Sequence, residues 1–261
     1  MIIVDNISYR VGKNNLLKNV GFRIHEGEML VIIGANGAGK STLLKLLCGD
    51  QRPHSGSIMI NDSPLSQLSS AQLAAIRAVL SQHNTLSISF TVRELVMMGR
   101  YPHYELRPRP IDYEIADAVM AETGIAAFAE RDYGTLSGGE QQRVQLARVI
   151  AQIYDVPDSY LFLDEPVNGL DLLYQQRILN TARLLANKGH GVVCVLHDIN
   201  LAARFADKIL ILKKGEMIAY GLPSEVITCE NIHQAFGINV RLMDEEHSKC
   251  PLVIPAVYNN N

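Results

Sequence analysis

The chain has 261 residues, enough for one large α/β domain or one domain with a subdomain. Its net charge of −3 offers none of the basic excess that marks a nucleic-acid-binding surface. The four cysteines, Cys48, Cys194, Cys229 and Cys250, are scattered without paired spacing, and Cys48 and Cys194 sit in apolar segments, so both are expected as reduced core residues.

Met1-Ile-Ile-Val-Asp5 lacks the basic and then apolar pattern of a signal peptide, and no apolar run approaches the length that spans a bilayer. Any membrane role is therefore expected through a partner, from the cytoplasmic side. Ile2 to Ile24 reads as strands around the polar turn Gly12 to Asn15, with Tyr9 just before that turn. Met29-Leu-Val-Ile-Ile33 is an apolar run suited to a buried parallel strand. It leads into Gly34-Ala35-Asn36-Gly37-Ala38-Gly39-Lys40-Ser41-Thr42, the spacing of a loop that binds nucleoside triphosphate phosphates. The glycines permit positive φ and let backbone amides approach a ligand. The helix that follows, with Leu43, Leu44, Leu46 and Leu47, points its N-terminal partial charge at the same place. Lys40 adds a full charge, and Ser41 places a hydroxyl where a phosphate-bound Mg²⁺ would sit.

Arg52 to Gly56 reads as a turn and Ser57 to Ile60 as a strand. Gln67 to Val79 is expected as helix, with Val79 to Gln82 returning to the sheet. From about Asn84 to Tyr154 apolar residues recur at helical periods, which predicts an inserted helical subdomain over about residues 84–155. Within it, Arg100 to Pro110 carries three prolines and three arginines and is expected as a surface loop. Ser137 followed by Glu140 forms a capping box, and the helix it opens places Val144, Ala147, Ile150, Ala151 and Tyr154 on one face. Alone, that is a well-capped helix. Gly138 and Gly139 also expose amides that a phosphate could approach. A second phosphate-type site beside a single phosphate loop calls for a second copy of the chain.

Tyr160 to Leu163, Gly191 to Leu196 and Ile209 to Leu212 are short apolar runs separated by helical patterns, as in a buried parallel sheet. Asp164 and His197 follow two of these strands, at the end where open α/β sheets build ligand sites. A carboxylate near the metal and a second group that orients the attacking water suit Asp164 and Glu165. The tail from Gly237 is expected to pack briefly and then fray. The expected division is an ATPase domain over 1–236 and an extension over 237–261.

With Leu136-Ser-Gly-Gly-Glu-Gln141 joined to these residues, the chain resembles the nucleotide-binding subunit of ABC transporters over about residues 1–235. The resemblance implies an α/β P-loop NTPase: a RecA-like core with an antiparallel β subdomain and an inserted α-helical subdomain. It implies a head-to-tail homodimer in which each Mg-ATP lies between one chain's phosphate loop and the partner's Ser137, Gly138 and Gly139. Tyr9 matches the aromatic that stacks on adenine. Gln82 matches the glutamine that touches Mg²⁺ and links the core to the helical subdomain. Glu165 matches the residue that polarises the attacking water, Asp171 the acid of the inter-subunit loop, and His197 the γ-phosphate histidine. One departure is Pro166-Val-Asn-Gly-Leu-Asp171, where the family usually has Thr-Ser-Ala before Leu-Asp; Asn168 stands in that stretch.

Thr91 to His103 is similar to ATPases of iron-chelate, heme and cobalamin importers. Arg77 to His83, Arg131 to Leu136 and Ile153 to Tyr160 look more like the hemin-import branch. The resemblance further implies permease subunits in the membrane, a periplasmic or surface substrate-binding protein, a place on the cytoplasmic face of the inner membrane, and no nucleic-acid partner. Siderophore or cobalamin cargo remains an alternative, as do a non-transport ABC ATPase of DNA repair or translation and a module that binds ATP without cleaving it. His83, His103 and His247 read as isolated surface histidines rather than heme ligands.

Overall fold

The computed structural model describes residues 1–81, 89–243 and 250–256. The first layer is an antiparallel sheet. β1 (Ile2–Val11) and β2 (Asn14–Ile24) form a hairpin, β4 (Ser55–Ile60) flanks β1, and β5 (Ser63–Pro64) closes the edge. The second layer is a six-stranded sheet in the order β10-β9-β3-β8-β7-β6. In it β3 (Met29–Gly34), β6 (Arg77–Leu80), β7 (Tyr160–Asp164), β8 (Gly191–Val195) and β9 (Lys208–Lys213) are parallel, while β10 (Glu216–Gly221) turns back antiparallel.

Strand alternation divides the core in two. Leu30 and Ile32 face one side, where α1 (Lys40–Leu47) packs its leucines between the two sheets. Met29, Val31 and Ile33 face the other side, covered by helices. Leu43 and Leu46 are fully buried, and each contributes about 1.5–3 kcal/mol by removal from water. This packing holds α1, and hence the phosphate loop ahead of it, rigid against β3.

The second face carries α3 (Val92–Met98), α4 (Pro110–Glu122), α5 (Gly138–Ile153), α6 (Leu172–Asn187) and α7 (Ile199–Phe205), followed by α8 (Pro223–Val226) and α9 (Cys229–Phe236), while α2 (Ser70–Ile76) sets Leu73 into the core of the first face. Capping boxes start α2 at Ser69/Gln72, α3 at Thr91/Glu94 and α5 at Ser137/Glu140. Helices α3, α4 and α5 pack on one another as the inserted helical layer, and α5 also reaches β6.

Three expectations need correction. The helix read over Gln67 to Val79 is only Ser70–Ile76, because Arg77 is already extended and pairs with Tyr160. Arg100 does not lie on a surface loop: it is fully buried, and its guanidinium bonds Asp112 (3.1 Å), Asp155 (2.7 and 3.2 Å) and the Ala151 carbonyl (2.7 Å). Burial pushes the Asp112 carboxyl up, but hydrogen bonds from Arg109 and Arg100 outweigh it and hold it below the usual range. The tail is more than a brief contact. β11 (Val240–Met243) and β12 (Leu252–Pro255) pair antiparallel, and on α7 Asn200 accepts from the Val253 N–H at 2.8 Å and donates its amide N–H to the Val253 carbonyl at 3.1 Å. Cys48 and Cys194 are buried and free as expected, and burial raises both thiols, leaving them as unreactive core residues.

Candidate active site

The carboxyl ends of β3, β7 and β8 lie side by side in the sheet, and the loops that leave them carry the site. The first is the phosphate loop. Gly34 and Gly39 have φ of 155° and 106°. A Cβ on Gly34 would meet the Leu212 carbonyl at 2.3 Å, and one on Gly39 the Leu16 carbonyl at 2.7 Å. No side chain fits at either position, so the loop lies tight against β9 and β2. Ala35, Asn36 and Gly37 are exposed at its crest, while Ala38 is buried below. Gly39 caps α1 in the left-handed conformation, Ser41 and Thr42 occupy the first turn, and their amides open toward the loop.

Lys40 folds back over the loop, donating to the Gly34 carbonyl (2.9 Å) and the Ala35 carbonyl (3.2 Å). Burial lowers its pKa, opposed by the charges of Glu165 and Asp164. An ammonium parked on backbone carbonyls inside a ring of amides is a charge waiting for an anion.

The second loop follows β7. Ser41 Oγ donates to Asp164 Oδ1 at 3.3 Å, joining the phosphate loop to the strand end. Burial, with the neighbouring Glu165 charge, raises the Asp164 carboxyl against opposing contributions from Ser41, Lys45 and Lys40. A hydroxyl and a carboxylate that converge in this way suit a hard cation with oxygen ligands. Glu165 has φ of 53°, a left-handed conformation that costs energy for a side-chain-bearing residue. That turn swings its carboxylate toward the third loop, where His197 Nε2 lies 2.6 Å from Glu165 Oε1. Asn168 donates its amide N–H to Glu165 Oε2. Both carboxylate oxygens are thus engaged by groups far apart in sequence.

Tyr9 sits across the β1–β2 ladder from Leu17, whose side chain borders Gly39. This places it beside the phosphate loop, with its ring 5.2 Å from that of His54. His54 is a neighbour the sequence did not announce; it was read only as part of a turn. Ser137 accepts from the Glu140 amide, and the Ser137 N–H and hydroxyl both donate to the Glu140 carboxylate at 2.8 Å. Within its own chain this helix start lies against the 166–171 loop, with Gly139 near Leu170 and Tyr174. Asp171 caps α6, accepting from Tyr174 N–H at 3.0 Å. The structure therefore gathers Lys40, Ser41, Asp164, Glu165 and His197 into one centre; Gly138 borders a cleft together with Asp164 and Glu165, and Asp171 caps α6. Gln82, along with His83 and His247, lies outside the described residues. His103 bonds the Gln152 carbonyl at 2.6 Å.

A parallel sheet with a glycine loop at a strand end, a lysine over it and a paired Asp-Glu on the neighbouring strand defines a P-loop nucleoside triphosphatase. The family described as "ABC transporter" matches residues 17–168. The chain belongs to that family, whose members bind ATP. Its relatives include the "Hemin import ATP-binding protein HmuV" of Gloeobacter violaceus, 46% identical over 98% of this chain and 94% of the relative. The protein of the same description from Bordetella avium is 42% identical over 96% and 97%. Among solved structures, a chain of a metal-chelate type ABC transporter in an inward-facing conformation superposes with a TM-score of 0.83 at 27% identity, covering 98% of this chain and 97% of that one. A bacterial ABC transporter cassette solved as a dimer gives a TM-score of 0.74 at 28% identity, over 85% and 99%.

Proposed function

We propose that the chain is the ATP-hydrolysing subunit of an importer for hemin, working as a head-to-tail homodimer beneath a membrane permease. The observation that carries the hydrolytic part is the clustering of Lys40, Ser41, Asp164, Glu165 and His197 at adjoining strand ends. The cargo rests on relatives 40–46% identical over nearly the whole chain that are described as hemin import ATP-binding proteins. The metal-chelate likeness favours a second reading, a ferric chelate as cargo.

The residues divide the work. The amides of residues 34–42 and the Lys40 ammonium hold the β- and γ-phosphates. Ser41 and Asp164, with Gln82 by resemblance, would hold Mg²⁺, which when bound neutralises phosphate charge. Glu165 takes the proton of the attacking water, and His197 steers the γ-phosphate and Glu165 together. Tyr9 offers its ring to adenine. Ser137, Gly138 and Gly139 of the second copy supply the helix N-terminus that closes over the γ-phosphate, and Asp171 lines the seam between copies. This arrangement is mostly positioning and charge stabilisation, as for phosphoryl transfer in general.

Residues 1–236 then form the ATPase domain, with 84–155 as the subdomain that meets the permease, and 237–261 form an extension. Among the described residues no helix is long and apolar enough to cross a membrane. The chain would sit peripherally on the cytoplasmic face of the inner membrane, and a substrate-binding protein would complete the transporter. Uptake into vesicles carrying the chain with its copurifying permease decides the cargo. ATP-dependent entry of hemin, but not of a ferric siderophore or cobalamin, is expected; the reverse preference would overturn the hemin reading.

A further inference from the structure

His197 hangs on short supports. It leaves the sheet directly after β8, where the Leu196 N–H donates to the Ile32 carbonyl at 3.1 Å. Its side chain is 38% exposed, so little packing fixes the ring, and its aim at Glu165 depends on the backbone to either side. The sheet secures the side before it. On the side after it comes α7, only seven residues long and too short to hold its shape alone. The Asp198 carboxylate caps that helix, accepting from the Asn200 N–H at 2.7 Å and the Leu201 N–H at 2.9 Å. Phe205, which is buried, sets the far end.

The near end is held from far along the chain. Asn200 Oδ1 accepts from the Val253 N–H at 2.8 Å, and Asn200 Nδ2 donates to the Val253 carbonyl at 3.1 Å. The amide thus pairs with β12 as a residue of a neighbouring strand would, exchanging two bonds with one partner. Because one group donates and the other accepts, a single orientation of the amide fits. One turn further along α7, the Cys250 thiol donates to the Ala203 carbonyl at 3.0 Å. Val253 and Cys250 are buried, and that burial by itself would dock the tail. The two bonds at Asn200 add something burial cannot: they fix the direction of the first turn of α7.

We propose that Asn200 is a positioning residue for His197, and that the tail, through Val253, keeps that imidazole aimed at Glu165 and the γ-phosphate. The role rests on the reading of His197 as the γ-phosphate histidine. With the sheet gripping Leu196 and the tail gripping Asn200, the three residues between them have little freedom. Asn200 touches no reacting atom; it acts through the turn that carries the histidine. A displacement of about 1 Å at a reacting group can cost on the order of 10²-fold in rate. Releasing one of two supports loosens the ring without removing it, so the loss is smaller.

Steady-state and single-turnover ATPase assays on the full-length protein test this. Asn200→Leu removes both bonds to Val253. We expect kcat to fall roughly ten-fold with the KM for ATP unchanged, because the phosphate loop is untouched. Val253→Pro breaks the clasp from the tail side without altering α7, since proline lacks the N–H and suits an edge strand, and it should lower kcat alike. A His197→Ala background separates positioning from general damage. There Asn200→Leu should lower kcat no further, because the group it aims is gone. An equal loss in that background overturns the proposal, as does a wild-type kcat in Asn200→Leu. If Asn200→Leu fails to fold, a wild-type kcat in Val253→Pro overturns it instead. His197→Ala alone tests the underlying reading. Normal turnover there means that His197 is not the γ-phosphate histidine; slow turnover there beside a normal Asn200→Leu leaves that reading standing and removes only the tail's part in it.

Discussion

At the scale of single residues, charge placement governs the chemistry. Lys40 rests on two backbone carbonyls, a contact that a triphosphate would replace with a stronger one. Lys40→Ala or Glu165→Gln should slow ATP turnover by about 10²-fold or more, measured by phosphate release. Glu165→Gln should also accumulate as an ATP-bound dimer on a sizing column, since binding survives while cleavage does not. A titratable group far from the site makes a separate prediction. His190 is buried and bonded to Ser159 Oγ at 2.8 Å, and burial, helped by Lys188, lowers its pKa. The unfolded chain protonates this histidine near pH 6.5 and the folded chain only at lower pH, so the neutral form's stability is present above about 6.5 and is lost as pH falls below it. Urea midpoints at pH 7.5 and 5.5 should fall further for wild type than for His190→Asn.

At the scale of elements, the connections between helices carry as much information as the helices themselves. Arg100 ties the end of α3 to the start of α4 and the end of α5 through Asp112, Asp155 and Ala151. Arg100→Met leaves Asp112 buried with its best cation gone and should cost about 3–5 kcal/mol of unfolding free energy. Adding Asp112→Leu should restore much of it, a recovery that a simple packing role for Arg100 would not produce. Ser137 acts in two ways. Ser137→Ala loses the cap of α5, about 1 kcal/mol by denaturant unfolding, and should weaken ATP-driven pairing of two chains by more than that loss explains. Val253 of β12 clasps Asn200, three residues beyond His197, so the tail braces the helix that follows that histidine.

At the scale of the whole molecule, the proposed site is shared between two chains. The phosphate loop is joined to the Asp164–Glu165 pair through Ser41, while Ser137 and Asp171 cap α5 and α6. If a second copy supplies the missing half, specific ATPase activity should rise with protein concentration through the micromolar range and then level off. Activity per chain that does not change on dilution, together with a monomer at saturating Mg-ATP, would contradict the shared site.

The phosphate loop, the capping box at Ser137 and the apolar strands were legible in the sequence because each is a local matter. Glycine at a tight turn, a hydroxyl three residues ahead of a carboxylate and an apolar run short enough to be a strand need no distant partner to be recognised. Contacts formed by distant segments were not legible. Arg100 looked like a loop residue until Asp112 and Asp155 came to meet it. Even the Glu165–His197 pairing was known only as two strand ends, since 32 residues separate them and only the order of β7 and β8 in the sheet brings them together. Sequence alone thus settles the chemistry a segment can perform, because that resides in residue type and short spacing. Tertiary structure settles which buried charges are neutralised and by which partners, because burial and pairing come from packing distant segments at one point.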